Sequence, residues 1–358
     1  MRYLFAGLIA GALAGIFFFQ GVSASEITPE FYNPLSSLEN ITGTDSRETP
    51  ESFIVPMGGR VFLVDTSGNA FKKVIFNDVL TEFSGNGKFY IQYGKVSTKI
   101  ELFGINGERY WQKNSREKPF LSYNGRLVLL LNGDHSGIRI FDTNGSTVGA
   151  GQITGRLCTS IEFSEKNDFG ACGFIDGSYH FINQDGVVIN SGSAPAGNAV
   201  KGVKVSSNGK YGFVHYGSTT KDYVRVVDIA GSDSDDSAIE SVHTVRTAMN
   251  ITDNGNGAIF DNDKVLLFDD DCDLKYKVNV PTKRAGFSTL VFENGIYALG
   301  YTKNTGESQL VVFKESGRIF YAKEYPGESF LSSSIKDGLV FLRGSDSLFA
   351  YKIRLQGE

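Results

Sequence analysis

The sequence predicts an all-β chain folded as a single β-propeller. Three observations lead there: a glycine-punctuated, aromatic composition, a polar turn that returns at a nearly constant interval, and a second hairpin interleaved with the first. The 358 residues include 42 Gly, 28 Phe and 16 Tyr against 3 Met and 8 Pro. That balance suits short strands cut by turns and not a Leu/Ala/Glu-rich helical protein.

The first turn carries Asn, Asp or Gly and runs straight into an apolar strand. It reads Ser84-Gly85-Asn86-Gly87 before KFYIQY, Tyr123-Asn124-Gly125 before RLVLLL, and Ser206-Ser207-Asn208-Gly209 before KYGFVHY. Taking Gly87, Gly125, Gly170, Gly209, Gly257, Gly295 and Gly338 as markers, the steps are 38, 45, 39, 48, 38 and 43 residues. A period of roughly 40 to 45 residues is that of a four-stranded propeller blade.

The second unit is a strand, a turn with Asp or Asn and then Gly, and a return strand, as in VFLVDTSGNAF, IRIFDTNGSTV and YHFINQDGVVI. Glycine there supplies the positive φ of a tight turn, and Asp or Asn bonds back to its own backbone. Two hairpins per period make four antiparallel strands. Such a sheet cannot cover both its faces, so neighbours stack and the stack closes into a ring.

Seven copies of the first turn predict seven blades. The surplus hairpin at 60–76 facing an incomplete last copy at 330–355 predicts closure by strands from both termini. Eight blades is the alternative, if that hairpin pairs with the strand at 53–56 as a blade of its own.

The propeller is expected over 53–358, with a polar, Pro-interrupted linker at 25–52. Residues 1–24 read as a signal peptide: Arg2, an uncharged run from Leu4 to Phe19, then small residues at Val22 and Ala24. An uncleaved membrane anchor is the alternative, because Gly7, Gly11 and Gly15 repeat at a helix-packing interval. Either reading places the rest of the chain outside the cytoplasm, periplasmic or extracellular.

The hairpins from Leu102 to Trp111 and from Val312 to Tyr321 resemble the repeat of quinoprotein-like (PQQ-like) propellers, in which an aromatic follows the turn glycine by four residues. The S-x-N-G-K turns at Ser84 and Ser206 are similar to those of WD40-like propellers. The resemblance covers roughly 53–355 and implies the fold, with functions that range from dehydrogenases to assembly platforms. Quinone-dependent members imply a calcium-coordinating acid cluster, a stacking Trp and often adjacent cysteines. This chain has one Trp, Trp111, and no Cys-Cys pair, so no cofactor is expected and Trp111 reads as packing between blades.

The net charge of -5 is spread along the chain, which makes nucleic acid an unfavourable partner. His135, His180, His215 and His243 lie apart in sequence with no ligand spacing, so no metal site is expected. The acidic stretches 233–236 and 269–273 lack the alternation of a calcium loop and read as solvated connections. Cys158 and Cys172 flank one turn, and both a cross-strand disulfide and a reduced buried pair fit that placement.

If both kinds of hairpin turn share one rim, the longer links, 131–137, 190–199, 215–222 and 301–308, occupy the other. Rigid blades hold such links in fixed relation, so binding is expected there, with Asp134, His135, Tyr216 and Lys221 as candidate contacts. The expectation is an exported, non-catalytic module that binds a protein or cell-envelope component. The alternatives are an enzyme acting on a carbohydrate or small molecule in the central funnel, and a structural part of an envelope assembly.

Overall fold

A computed structural model describes residues 26–40, 52–76, 79–94, 98–231, 234–244, 246–280 and 285–354. The predicted signal segment at 1–24 lies outside them.

The strands form eight antiparallel sheets, seven of four strands and one of three among the described residues. In chain order the blades are 1 (53–75), 2 (80–114), 3 (118–154), 4 (158–193), 5 (199–239), 6 (249–279), 7 (285–325) and 8 (332–354 with 26–34). Strands within a blade are named A to D from the channel outward. The hairpin at 60–76 does pair with Phe53–Met57, register Phe53↔Val64 to Met57↔Arg60, so it builds a blade of its own. The count is therefore eight and not the favoured seven.

Closure by both termini holds with a different N-terminal strand. Glu26–Pro34, inside the stretch expected to be a linker, pairs antiparallel with Ser347–Arg354 and forms the outer strand of blade 8. Pro29 and Pro34 are tolerated because an outermost strand needs ladder hydrogen bonds on one side only, and a bulge between Pro29 and Phe31 absorbs the irregularity. Leu35–Asn40 follows as a 3-10 helix whose Leu35 and Leu38 pack with Phe53, Phe62, Phe341 and Leu348 across the seam of blades 8 and 1.

Apolar side chains between blades supply the core. One cluster joins blades 6 and 7 through Ala258, Phe260, Leu267, Tyr297 and Phe313, and another joins blades 4 and 5 through Phe181, Val203, Val214 and Tyr216. Each such side chain is worth roughly 1.5–3 kcal/mol on burial. Trp111 fills the same role between blades 2 and 3, packing with Val128 and Phe141 beneath Gly145.

The repeating first turn also ties each blade to the next. Asn86 N donates to Tyr123 O at 3.0 Å, Asn124 N to Asp168 Oδ1 at 2.7 Å, Asn167 Nδ2 to Ser207 O at 2.6 Å and Asn208 N to Asp253 Oδ1 at 2.8 Å. The residues that recur to make the turn are thus the residues that bond across the blade boundary. Glu293 Oε2 accepts from Gly338 N at 2.7 Å, and Lys336 Nζ donates to Ser52 O at 3.2 Å, which carries the belt through blades 7, 8 and 1.

Candidate functional site

In each complete blade the A–B and C–D turns lie on one rim, and the B–C links with the connections between blades lie on the other. The turn rim end of the channel is bridged. Lys166 of blade 4 reaches Glu293 of blade 7 at 2.8 Å, and Glu165 accepts from Asn250 Nδ2 of blade 6 at 2.7 Å.

A cavity of about 880 Å3 extends from Glu165 to the opposite rim, bounded by Lys204, Arg246, Phe260, Thr289 and Ser333 among others. Lys204 and Arg246 converge on one carboxylate, Glu162, with Lys204 Nζ at 2.9 Å from Oε2 and Arg246 Nη1 on Oε1. Burial would raise the Glu162 pKa, but the two cations outweigh it and hold the carboxyl below its ordinary range. Glu165 goes the other way. Burial pushes it up further than Lys204 and the Asn250 hydrogen bond pull it down.

On the other side of the channel Glu82 stands half-buried on strand A of blade 2. Burial, opposed by Lys118 and reinforced by Glu162, moves its pKa from 4.5 to about 7. A carboxyl whose folded pKa is raised contributes fully below its unfolded value and loses that contribution as pH rises through the folded one. Glu82→Gln is therefore expected to stabilise the protein by about 1–2 kcal/mol at pH 8 and not at all at pH 4. Urea melts at the two pH values check this, and an equal effect at both would refute it.

Behind the cavity wall, blades 5 and 6 share a buried polar chain. Asp222 is fully buried and accepts from His215 Nε2 at 3.0 Å, from the backbone N of His243 at 2.9 Å and from Lys201 Nζ. Asp261, also fully buried, faces His243 Nε2 at 3.1 Å, and the two imidazoles meet edge to face at 5.5 Å. Burial would raise Asp222, but its hydrogen bonds from His215 and Lys201 keep it below the ordinary carboxylate range. Burial lowers His215, and its bond to Asp222 offsets only part of that. At neutral pH the pair is therefore a carboxylate and a neutral imidazole protonated on Nε2, which leaves Nδ1 buried without a partner among the described residues.

This chain escaped sequence reading, which saw four separated histidines. His215 and Asp222 lie on the paired B and C strands of blade 5, with Gly217 opposite Asp222, while His243 enters from the connection to blade 6. The four-residue link at 218–221 between two strongly patterned strands was the available signal for the first pair.

The candidate contacts separate. Asp134, His135 and Lys221 are exposed on the link rim, where Asp134 Oδ1 accepts from Ser136 N at 3.0 Å and His135 holds a φ of 61°. Lys221 lies 4.9 Å over the Tyr223 ring. Tyr216 is not a surface contact: it is 1% exposed, stacked on Tyr223 and covered by Arg225, because residue 216 points between blades 4 and 5.

Cys158 and Cys172 are free and buried. A bulge between Cys158 and Ser160 sets Cys158 opposite Phe174, while Cys172 faces Ile161. The acidic stretch near 233–236 is no loop from Ser234 onward, since Ser234–Ile239 is strand D of blade 5 and Asp236 pairs with Arg225 at 2.6 and 2.7 Å. Asp269, Asp270 and Asp271 do bring carboxylate oxygens together, with Lys275 bound to Asp269.

Fold and channel define the class: an eight-bladed β-propeller with a polar central funnel that opens on the link rim, the architecture implied by the quinoprotein-like and WD40-like resemblance. Among solved structures it is similar to the crystal structure of BamB from Moraxella catarrhalis, with a TM-score of 0.61 and 13% identity over 93% of this chain and 99% of that one. It is also similar to KlHsv2 with loop 6CD replaced by a Gly-Ser linker, with a TM-score of 0.56 and 13% identity over 77% and 94% of the two chains. At such identity the likeness is one of fold. No protein-family model and no curated protein matches the chain.

Proposed function

We propose that the chain is exported and works, without catalysis of its own, as a protein-binding or scaffolding module of the cell envelope, with the link rim as its contact face. The observation that carries this reading is the apolar surface of that rim. Leu157, Ile175, Val242, Phe287 and Leu331, all in B–C links, inter-blade connections or the first residues of an A strand, are 36–45% exposed. They come from blades around much of the ring, and Asp134, His135 and Lys221 supply polar groups between them. Apolar anchors inside a polar surround are the usual composition of a protein contact. The likeness to BamB supports a propeller of this kind, and the uncharged run at residues 4–19 supports export.

The test is affinity capture of the mature protein from its own envelope after crosslinking, beside a Val242→Asp, Phe287→Asp double variant. A specific protein is expected with the parent, and its recovery is expected to fall roughly ten-fold or more with the variant. Equal recovery by both, or no protein at all alongside turnover of a glycan or small-molecule panel, would end the proposal.

A further inference from the structure

We propose that the central cavity is a binding site for a small carboxylate-bearing sugar, a uronic acid or a close relative. Its volume of about 880 Å3 falls within the roughly 300–1,000 Å3 of small-molecule sites. Three kinds of wall meet there. Thr244, Ser288 and Ser333 offer hydroxyls and Asn262 and Asn304 offer amides, groups that both donate and accept and so match the hydroxyls of a sugar. The exposed Phe287 ring gives an apolar face for ring C–H groups.

The third wall selects for charge. Lys204 and Arg246 share the single carboxylate of Glu162, and Arg246 keeps 41% of its side chain exposed, so its fork of N–H donors is only partly spent. Glu165, the other acid on the cavity, has one carboxylate oxygen taken by Asn250 Nδ2 at 2.7 Å, and burial pushes its pKa up. The partly unspent Arg246 fork lies among hydroxyls, and a ligand with one carboxylate and several hydroxyls satisfies both. The sugar site shares Phe287 with the rim, but its charge-reading groups, Lys204 and Arg246, are not among the rim anchors, so its titration tests it apart from any protein partner.

Isothermal titration of the whole mature protein with D-glucuronate, D-glucose and acetate tests the assignment. Glucuronate is expected to bind saturably, with glucose and acetate each at least about ten-fold weaker, because each lacks one half of the match. Arg246→Ala is expected to weaken glucuronate about ten-fold or more, and Arg246→Lys to recover only part of that. Asn304→Asp, at an exposed turn position, brings a negative charge to the mouth and is expected to weaken glucuronate while a thermal melt stays unchanged. No saturable glucuronate binding, equal binding of acetate, or unchanged affinity in both Arg246→Ala and Asn304→Asp would overturn the assignment.

Discussion

Asp222→Ala is expected to cost on the order of 3–5 kcal/mol of folding stability. The carboxylate is fully buried and is the common acceptor for Lys201, His215 and the backbone N–H of His243. Without it an ammonium only 13% exposed keeps the carbonyl of Ser218 at 3.1 Å as its acceptor among the described residues, and two further donors lose theirs. Urea unfolding measures the loss. If desolvated charge is the cause, Lys201→Met combined with Asp222→Leu recovers much of it, whereas additive losses would show that cavity formation and not charge dominates.

The same chain sets an acid limit on the fold. His215 is held neutral with a pKa below its ordinary 6.5, so its contribution is complete above 6.5 and is lost as pH falls from there toward the folded value. Asp222, also depressed, adds a second loss only below its ordinary 3.8. His215→Gln is expected to remove the first part of the decline and leave the second.

Much of this architecture was legible because the repeat is a physical necessity rather than a label. The Asn, Asp and Gly of the first turn recur because they shape the hairpin or bond across to the neighbouring blade, and Asn86 and Asn208 do both. The outer strand of blade 8 was not legible. Glu26–Pro34 has its apolar residues at Ile27, Phe31 and Tyr32, broken by two prolines, and an edge strand is under no pressure to alternate cleanly. The polar chain was hidden for a different reason: Lys201, His215 and Asp222 share blade 5, but His243 and Asp261 join them only when blade 6 packs against it, and no linear spacing encodes that. Tyr216 misled because a residue next to a link was assigned to the link, although its strand runs through to Gly217.

Gly209→Ala is expected to destabilise by about 2–4 kcal/mol, far more than a surface glycine replacement ordinarily does. Two costs fall on one atom. Gly209 holds a φ of +71°, where an L side chain costs about 1–2 kcal/mol, and a Cβ there would stand 2.2 Å from the Phe169 ring of blade 4. Phe169 cannot simply swing away, because it packs against the cluster between blades 4 and 5, and the turn itself is pinned by Asn208 to Asp253 of blade 6. Gly197→Ala isolates the first cost, since Gly197 has a φ of +84° with nothing within 4 Å of a built Cβ, and about 1 kcal/mol is expected there. The difference between the two variants in urea melts measures how tightly successive blades are pressed together at the turn rim. Equal losses would mean that the belt of turns is held by backbone conformation alone and that the packing of one blade's turn on its neighbour's aromatic residue adds nothing to closure of the ring.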